Sequence, residues 1–402
     1  MSGMELTVNY PPSKFAADND LSSPNVVEKY TLAADIVNVV LPEVLSKVSP
    51  GVSVCDLCQY GDDLIEAYTS RMHKKLERGV ATPTCVSVNN LVQYVSPLED
   101  NDYNLKAGDV VKIELGAHVD GYIATAAHTT VVNQNPQEPL RGTAADVVCA
   151  TYYAFEAAMR MLRPGVKSSD ISRVITEIAA YYRCEPVEGS YSSMMKRFVL
   201  RAGKDVENRL SSEMTVEELE KMDFQIEANQ VYQLNVVLTS GSGKVKFSEY
   251  KPFVFQRDVN RSYNLKMKSA RLAYTQINEK HTVFPFSIRA ISGNHARLGL
   301  TSVVQHELVT PFPVMRSALN SDVVAQFKAT ILVTPEGQLR TTLPQPLPYV
   351  HSQYCIPQPT QAANVLSAPA LKLIRPFKGF PAVPVEFGQR HVEEEDVAME
   401  MD

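Results

Sequence analysis

The chain is 402 residues long, 45% hydrophobic and 21% charged, with a net charge of −6. That length can bury a sizeable core as one large domain or two, and the balance is ordinary for a soluble globular protein, not for a disordered chain. No apolar run reaches the length of a membrane span and the first residues lack the basic-then-apolar layout of a secretory leader; six cysteines without regular spacing point to a reducing, intracellular compartment.

Residues 1–24 are polar, with Pro11–Pro12 and an acidic turn at Asp18–Asp20, and read as a loosely held arm. Pro24-Asn25 then leads into a helix expected from Val26 to about Val48, with Ile36, Val39, Val40 and Val44 near helical spacing. Pro50-Gly51-Val52 breaks it. A second helix carrying Asp56, Leu57, Leu64, Ile65 and Tyr68 runs to about Arg71. Ala107–Val132 reads as two strands joined at Asp120–Gly121, a pair suited to a two-residue hairpin.

The same order then returns. Ala144–Leu162 is helical in pattern, Pro164-Gly165-Val166 breaks it, and Asp170, Ile171, Ile178 and Tyr182 repeat the second helix. Ala228–Thr239 follows with the spacing of the first strand: Ala107/Ala228, Val110/Val231, Ile113/Leu234 and Glu114/Asn235. Helix, Pro-Gly-Val, helix and strand thus occur twice, which marks an internal duplication. It also settles the Cys55–Cys58 pair, a CxxC that elsewhere signals redox chemistry or zinc. Ser169 and Ser172 stand there in the second copy, so small size suffices and the cysteines read as structural. His118 and His128 flank the hairpin with no paired ligand and likewise read as structural.

Lys244–Arg297 is the most unusual stretch. Lys244, Lys246, Lys251, Arg257, Arg261, Lys266, Lys268, Arg271, Lys280, Arg289 and Arg297 face only Glu249, Asp258 and Glu279. Phe247, Tyr250, Phe253, Phe255, Tyr263 and Tyr274 are interleaved with them. A basic, aromatic-bearing block on an acidic chain suits a polyanionic partner, and composition alone leaves a solvated face equally open. Leu265–His281 fits an amphipathic helix, with Leu265, Met267, Leu272 and Ile277 for packing and Lys266, Lys268 and Arg271 for outward display. Ser321–Leu343 returns to strand, with a turn at Pro335–Gly337. Past Pro344 prolines recur, and the tail, read as extended or disordered, ends HVEEEDVAMEMD.

Three motifs carry a family resemblance: ATPTCVSVNN at Ala81–Asn90, KIELGAHVDGYIATAAHT at Lys112–Thr129 and VAQFKATILV at Val324–Val333. In order and spacing, from about Asn25 to Leu343, they resemble type 2 methionine aminopeptidases. They are more similar still to the non-peptidase relatives of that enzyme, the proliferation-associated/ErbB-binding proteins and fungal curved-DNA-binding proteins. The resemblance implies an α+β pita-bread fold, two pseudo-twofold halves of helices outside antiparallel sheet, with a type 2 helical insertion. It divides the chain into an arm (1–24), the pita-bread core (25–258), a mainly helical insertion (259–318), the last part of the core (319–348) and the Pro-rich, acidic-ended tail (349–402).

Carried over motif by motif, the five metal-ligand positions of the peptidases fall on Glu114, Thr125, Ser190, Asn235 and Lys328, and the catalytic histidine position on Tyr94. A dinuclear centre needs anionic or imidazole ligands to balance two divalent cations. One carboxylate and a cation remain, so the expectation is a pseudoenzyme with no metal cofactor. Lys328 is expected either to pair with Glu114 or to snorkel to solvent, and the residues leave both open. The resemblance further implies binding of the large (60S) ribosomal subunit and its rRNA near the peptide exit, in biogenesis, export or translation control. It implies a cytoplasmic protein with a nuclear or nucleolar pool; no membrane partner is expected, and the oligomeric state stays open with a monomer as the expectation. A DNA- or RNA-binding, transcription-linked scaffold is the alternative, and an aminopeptidase with an altered site a weaker one. The tail lacks the lysine-rich run of the better-known proliferation-associated proteins, having only Lys372, Arg375, Lys378 and Arg390, so the role of that run is not carried over.

Overall fold

The structure is a computed structural model that describes residues 14–71, 75–211 and 213–388. The sheet is built around a hairpin, Val110–Val119 and Tyr122–Val131, whose turn has Asp120 at φ +53° and Gly121 at φ +79°. Two positive φ values in succession match the twist of the flanking strands. Gly121 has a second reason to be glycine, because a Cβ there would lie 2.4 Å from the Phe198 ring. Among the described residues the main sheet has ten strands. Its backbone order is Arg78–Val88, the two hairpin strands, Val324–Thr334, Gln230–Thr239, Tyr191–Met195 and Asp205–Glu207. Val324–Thr334 sits between the halves, paired with Gln230–Thr239 along its length and with the hairpin at Lys328–Ala127.

Each half carries its own helix pair. Pro24–Ser46 and Val54–Ser70 pack on the hairpin side, and Thr143–Met161 and Ser168–Tyr181 on the side of Val324–Thr334 and Gln230–Thr239. Two apolar cores result, one around Ile36, Leu57, Ile65 and Leu115, the other around Phe155, Ile175, Leu234 and Phe327. The duplication is visible in detail. Gly51 and Gly165 both stand at φ +86°, and their amides donate to Leu105 O at 2.7 Å and Ile226 O at 2.9 Å. Asp102 accepts from Cys55 N at 2.9 Å and Asp223 from Ser169 N at 3.0 Å, so one carboxylate per half satisfies a free N–H in the first turn of the second helix.

The insertion folds on a third core. Helices Lys268–Lys280 and Asn294–Gln305 pack closely because Gly299 lies on the Ser269 backbone, where a Cβ would come within 2.3 Å. A small sheet of Phe286–Ser287, Val254–Arg257 and Val309–Phe312 completes it. The helix starts at Lys268 and not at Leu265. Leu265 is buried in extended chain ahead of it, Arg271 reaches back to the Leu265 and Lys266 carbonyls, and Met267, expected to pack, is 56% exposed.

The two ends correct their expectations. The described part of the arm is held down: Leu21 is buried, and Arg197 pairs with Asp18 at 2.8 Å and Asp120 at 2.6 Å. The tail is largely extended, yet it is strapped to the body. His351 N donates to Leu140 O, and Gln361–Ser367 forms a short helix against the second helix pair. Arg375 reaches Asp35 at 2.5 Å and Glu28, while Phe380 and Phe387 lie on Tyr68 and Tyr60. The acidic end at 391–402 lies outside the described residues.

Candidate functional site

Strand register puts four positions in one row across the sheet: Glu114 opposite Ala127, Ala127 opposite Lys328, Lys328 opposite Asn235. Directly opposed residues share a face. Here that face floors a cavity of about 360 Å³ between the main sheet and the inner edge of the insertion. Glu114, Asn235, Lys328, Ser190 and Tyr94 all border it. Thr125 does not. Fully buried and packed on Gly116, it exchanges backbone hydrogen bonds with Thr330 Oγ1 at 2.9 and 3.1 Å.

The floor is a closed polar network. Lys328 Nζ donates to Glu114 Oε1 in a buried ion pair, which resolves the choice between pairing and snorkelling in favour of pairing. Gln326 Nε2 bridges Glu114 Oε2 and Asn235 Oδ1, both at 2.9 Å, and Asn235 Nδ2 donates to Tyr191 O at 3.3 Å. Ser190 Oγ donates to Val187 O at 2.6 Å and accepts from Asn208 at 2.9 Å. Gln326 was not singled out by the sequence reading. Two residues from Lys328 on one strand, it lies on the same face by alternation alone, which is the signal that finds it.

These residues do not fit a pair of divalent cations. The one carboxylate is already neutralised by an ammonium, and the other candidate oxygens are neutral: those of Ser190 and Asn235 are committed to neighbours, while Thr125 Oγ1 is buried away from the cavity without a hydrogen-bond partner. Among the described residues no group of three His, Cys, Asp or Glu side chains is placed to hold a metal ion. Tyr94 has φ +65°, an uncommon backbone for a bulky residue, and its ring lies 5.1 Å from Phe312. Burial, with Glu114 nearby, pushes its phenol pKa up.

The other polar candidates are structural. Burial pushes the Cys55 thiol to about 11 and Cys58 to about 12, so neither is a ready thiolate. His118 and His128 are held neutral by burial, with pKa values lowered to about 3 and about 4; His128 bonds Pro346 O at 3.0 Å.

The basic block divides on inspection. Lys244, Lys246, Lys251, Arg261, Lys266, Lys268, Arg271 and Lys280 are exposed, as are Phe247 at 74% and Tyr263 at 45%. Arg289 is not available to a polyanion. Its side chain is 5% exposed and joins Asp62 and Ser96 Oγ, each at 2.6 Å. Arg257 lies half-buried over the Tyr274 ring, and Arg297, also half-buried, donates to Ile291 O. Sequence cannot separate such anchors from displayed charges, because both are cations in polar stretches.

Comparison with known proteins places the whole arrangement. Residues 28–249 match the model of metallopeptidase family M24. The chain is 43% identical to the ErbB-3 binding protein 1 of Solanum tuberosum, over 80% of this chain and 82% of that one. It is 39% identical to proliferation-associated protein A of Dictyostelium discoideum (89% and 92% covered), and 36% identical to a curved DNA-binding protein of Schizosaccharomyces pombe (81% and 86%). Among solved structures, a thermophilic Arx1 superposes with a TM-score of 0.78 at 26% identity, covering 87% of this chain and all of that one. A methionine aminopeptidase of Thermotoga maritima shares the fold at a TM-score of 0.54 and 18% identity, over 80% and 98%. With the duplicated halves and the insertion, these likenesses make the chain a pita-bread member of metallopeptidase family M24, in the branch of the proliferation-associated, ErbB-3-binding and curved-DNA-binding proteins.

Proposed function

We propose that the protein is a non-enzymatic member of its family that binds the large ribosomal subunit through rRNA, in subunit biogenesis, export or translation control. It works as a monomer, in the cytoplasm with a nuclear or nucleolar pool. The observation that carries this reading is the exposure of Lys244, Lys246, Lys251, Lys266, Lys268 and Lys280 along 244–280, with Phe247 exposed among them, which we take together as one basic face. Arg261 and Arg271, exposed too, engage Glu307 and the chain ahead of the helix. Such a face makes salt-sensitive phosphate contacts with little sequence preference, and a rigid platform suits RNA read by shape. The ion pair at the cavity floor supports the non-enzymatic part, because an ammonium bound to the one remaining carboxylate opposes divalent metal there.

The test is co-sedimentation with purified 60S subunits across a salt series, wild type beside a Lys244/Lys246/Lys266/Lys268→Glu variant. Arg271 is left alone because it holds the carbonyls ahead of its helix. Wild type is expected to pellet at moderate salt and the variant to stay in the supernatant. No pelleting of wild type even at low salt would sink the ribosomal reading. One relative is named for binding curved DNA, which favours a second reading in which the same face takes duplex DNA. Affinity for curved duplex above that for ribosomes at matched salt decides for it. Release of methionine from a peptide in added divalent metal would restore the enzyme.

A further inference from the structure

The floor of the cavity, at the Lys328–Glu114 pair, offers neither end of a peptide an unpaired charge. A terminal ammonium entering it meets Lys328 and finds the one floor carboxylate already neutralised; a terminal carboxylate meets Glu114. The rest of the lining is aliphatic side chains such as Val92, Val187, Leu200 and Val254, the exposed Glu188, and a set of aromatic and amide groups. Tyr94 and Phe312 form one aromatic wall. Tyr191 forms another, capped by the Arg201 guanidinium at 4.0 Å, with Asp205 holding that cation at 2.6 Å. Gln256 is fixed through Nε2 to Val283 O at 2.9 Å, which leaves its side-chain oxygen uncommitted. Ser193 Oγ, buried in the wall, has no hydrogen-bond partner. About 360 Å³ suits one ring system with its sugar and not a folded segment.

A basic ribbon stands beside the cavity. Val245 and Met315 border the cavity from the ribbon of Val245–Phe247 paired with Met315–Ser317. Phe247, opposite Met315, therefore shares the cavity-side face of that ribbon and stands 74% exposed. Lys244 and Lys246 project from the ribbon's other face into solvent.

Resting on the RNA-binding reading above, we propose that the cavity is a socket for one unpaired nucleobase of the bound RNA, stacked among Tyr94, Phe312, Tyr191 and Arg201. Neutral amides read its edge, and the flanking phosphates run past the lysines of the ribbon. A planar ring with donor and acceptor edges can stack on the aromatic wall and meet the uncommitted Gln256 oxygen and the buried Ser193 hydroxyl. Stacking on aromatic and guanidinium faces is how single-stranded RNA is generally held, and it tolerates any base. The left-handed backbone at Tyr94 is the local strain that keeps its ring aimed inward.

The experiment titrates full-length protein into a short single-stranded RNA carrying one 2-aminopurine, reading anisotropy for total binding and fluorescence for the environment of that base. Wild type is expected to quench the base. Tyr94→Ala is expected to lose the quenching and bind about tenfold more weakly, the range stacking of one base commands. Tyr94→Phe, which keeps the ring, is expected to restore both, which separates loss of stacking from loss of folding. Binding that moves the anisotropy equally in wild type and Tyr94→Ala, with no quenching in either, overturns the socket and leaves the RNA reading intact. Competition by a methionine-initiated peptide, free or acetylated, with no effect of single nucleosides overturns the socket in favour of a peptide site. Absence of any RNA binding down to low salt removes both.

Discussion

At the scale of single residues, Glu114, Lys328 and Asn235 are joined into one network, while Ser190 bonds to Val187 and Asn208 and Thr125 lies off the cavity. Lys328 meets Glu114, and Gln326 ties that carboxylate to Asn235, so its charge is balanced by an ammonium and its second oxygen is held by an amide. Removing one partner of such a pair strands the other without compensation. Lys328→Met is therefore expected to cost about 3–5 kcal/mol of stability, and Lys328→Met with Glu114→Gln clearly less than the single change. Urea unfolding followed by circular dichroism measures it; additive losses across the cycle would show that the two side chains do not depend on each other. The sequence motifs brought Glu114, Asn235 and Lys328 to attention as residues. The bridging role of Gln326 and the packing of Thr125 against Gly116 were not legible, since both depend on which strands the fold sets side by side.

At the scale of elements, the insertion is anchored by a group that composition mistakes for a binding residue. Arg289 joins Asp62 on the Val54–Ser70 helix, and Asp62 also accepts from Thr84 N at 2.6 Å. Burial pushes the Asp62 carboxyl up and Arg289 opposes this, so the guanidinium is what keeps that carboxylate tolerable inside. Arg289→Ala is expected to destabilise by about 3–5 kcal/mol and to raise amide exchange across 268–305 before the body loosens. Unchanged protection in those helices would mean that the third core holds them unaided. Helix and strand positions were read from periodicity to within a few residues; the start at Lys268 was missed because a buried Leu265 imitates the first helical contact. The paired carboxylates Asp102 and Asp223 escaped notice because each caps a helix from some fifty residues away, beyond any local pattern.

At the scale of the whole molecule, the tail belongs to the fold. It runs from the second helix pair to the first, with Arg375, Phe380 and Phe387 as its holds on the latter. Polar, proline-rich composition reads as loose chain because the apolar residues that grip the body are few and widely spaced. Each aromatic contact contributes about 0.5–1.5 kcal/mol beyond the area it covers, so truncation after Pro348 is expected to lower stability by more than about 2 kcal/mol. An unchanged urea midpoint would reduce the strap to a passenger. A last consequence follows from the position of Val324–Thr334 between the halves. During synthesis the strands it joins, Tyr122–Val131 and Gln230–Thr239, are finished long before it emerges. At about 5–20 residues per second the interval after Thr239 lasts on the order of 5–20 s. Throughout it the nascent protein presents two open strand edges, the kind of surface that pairs with stray chains and that chaperones cover. The pause is built into the order of the elements, so a fast-folding insertion shortens no part of it.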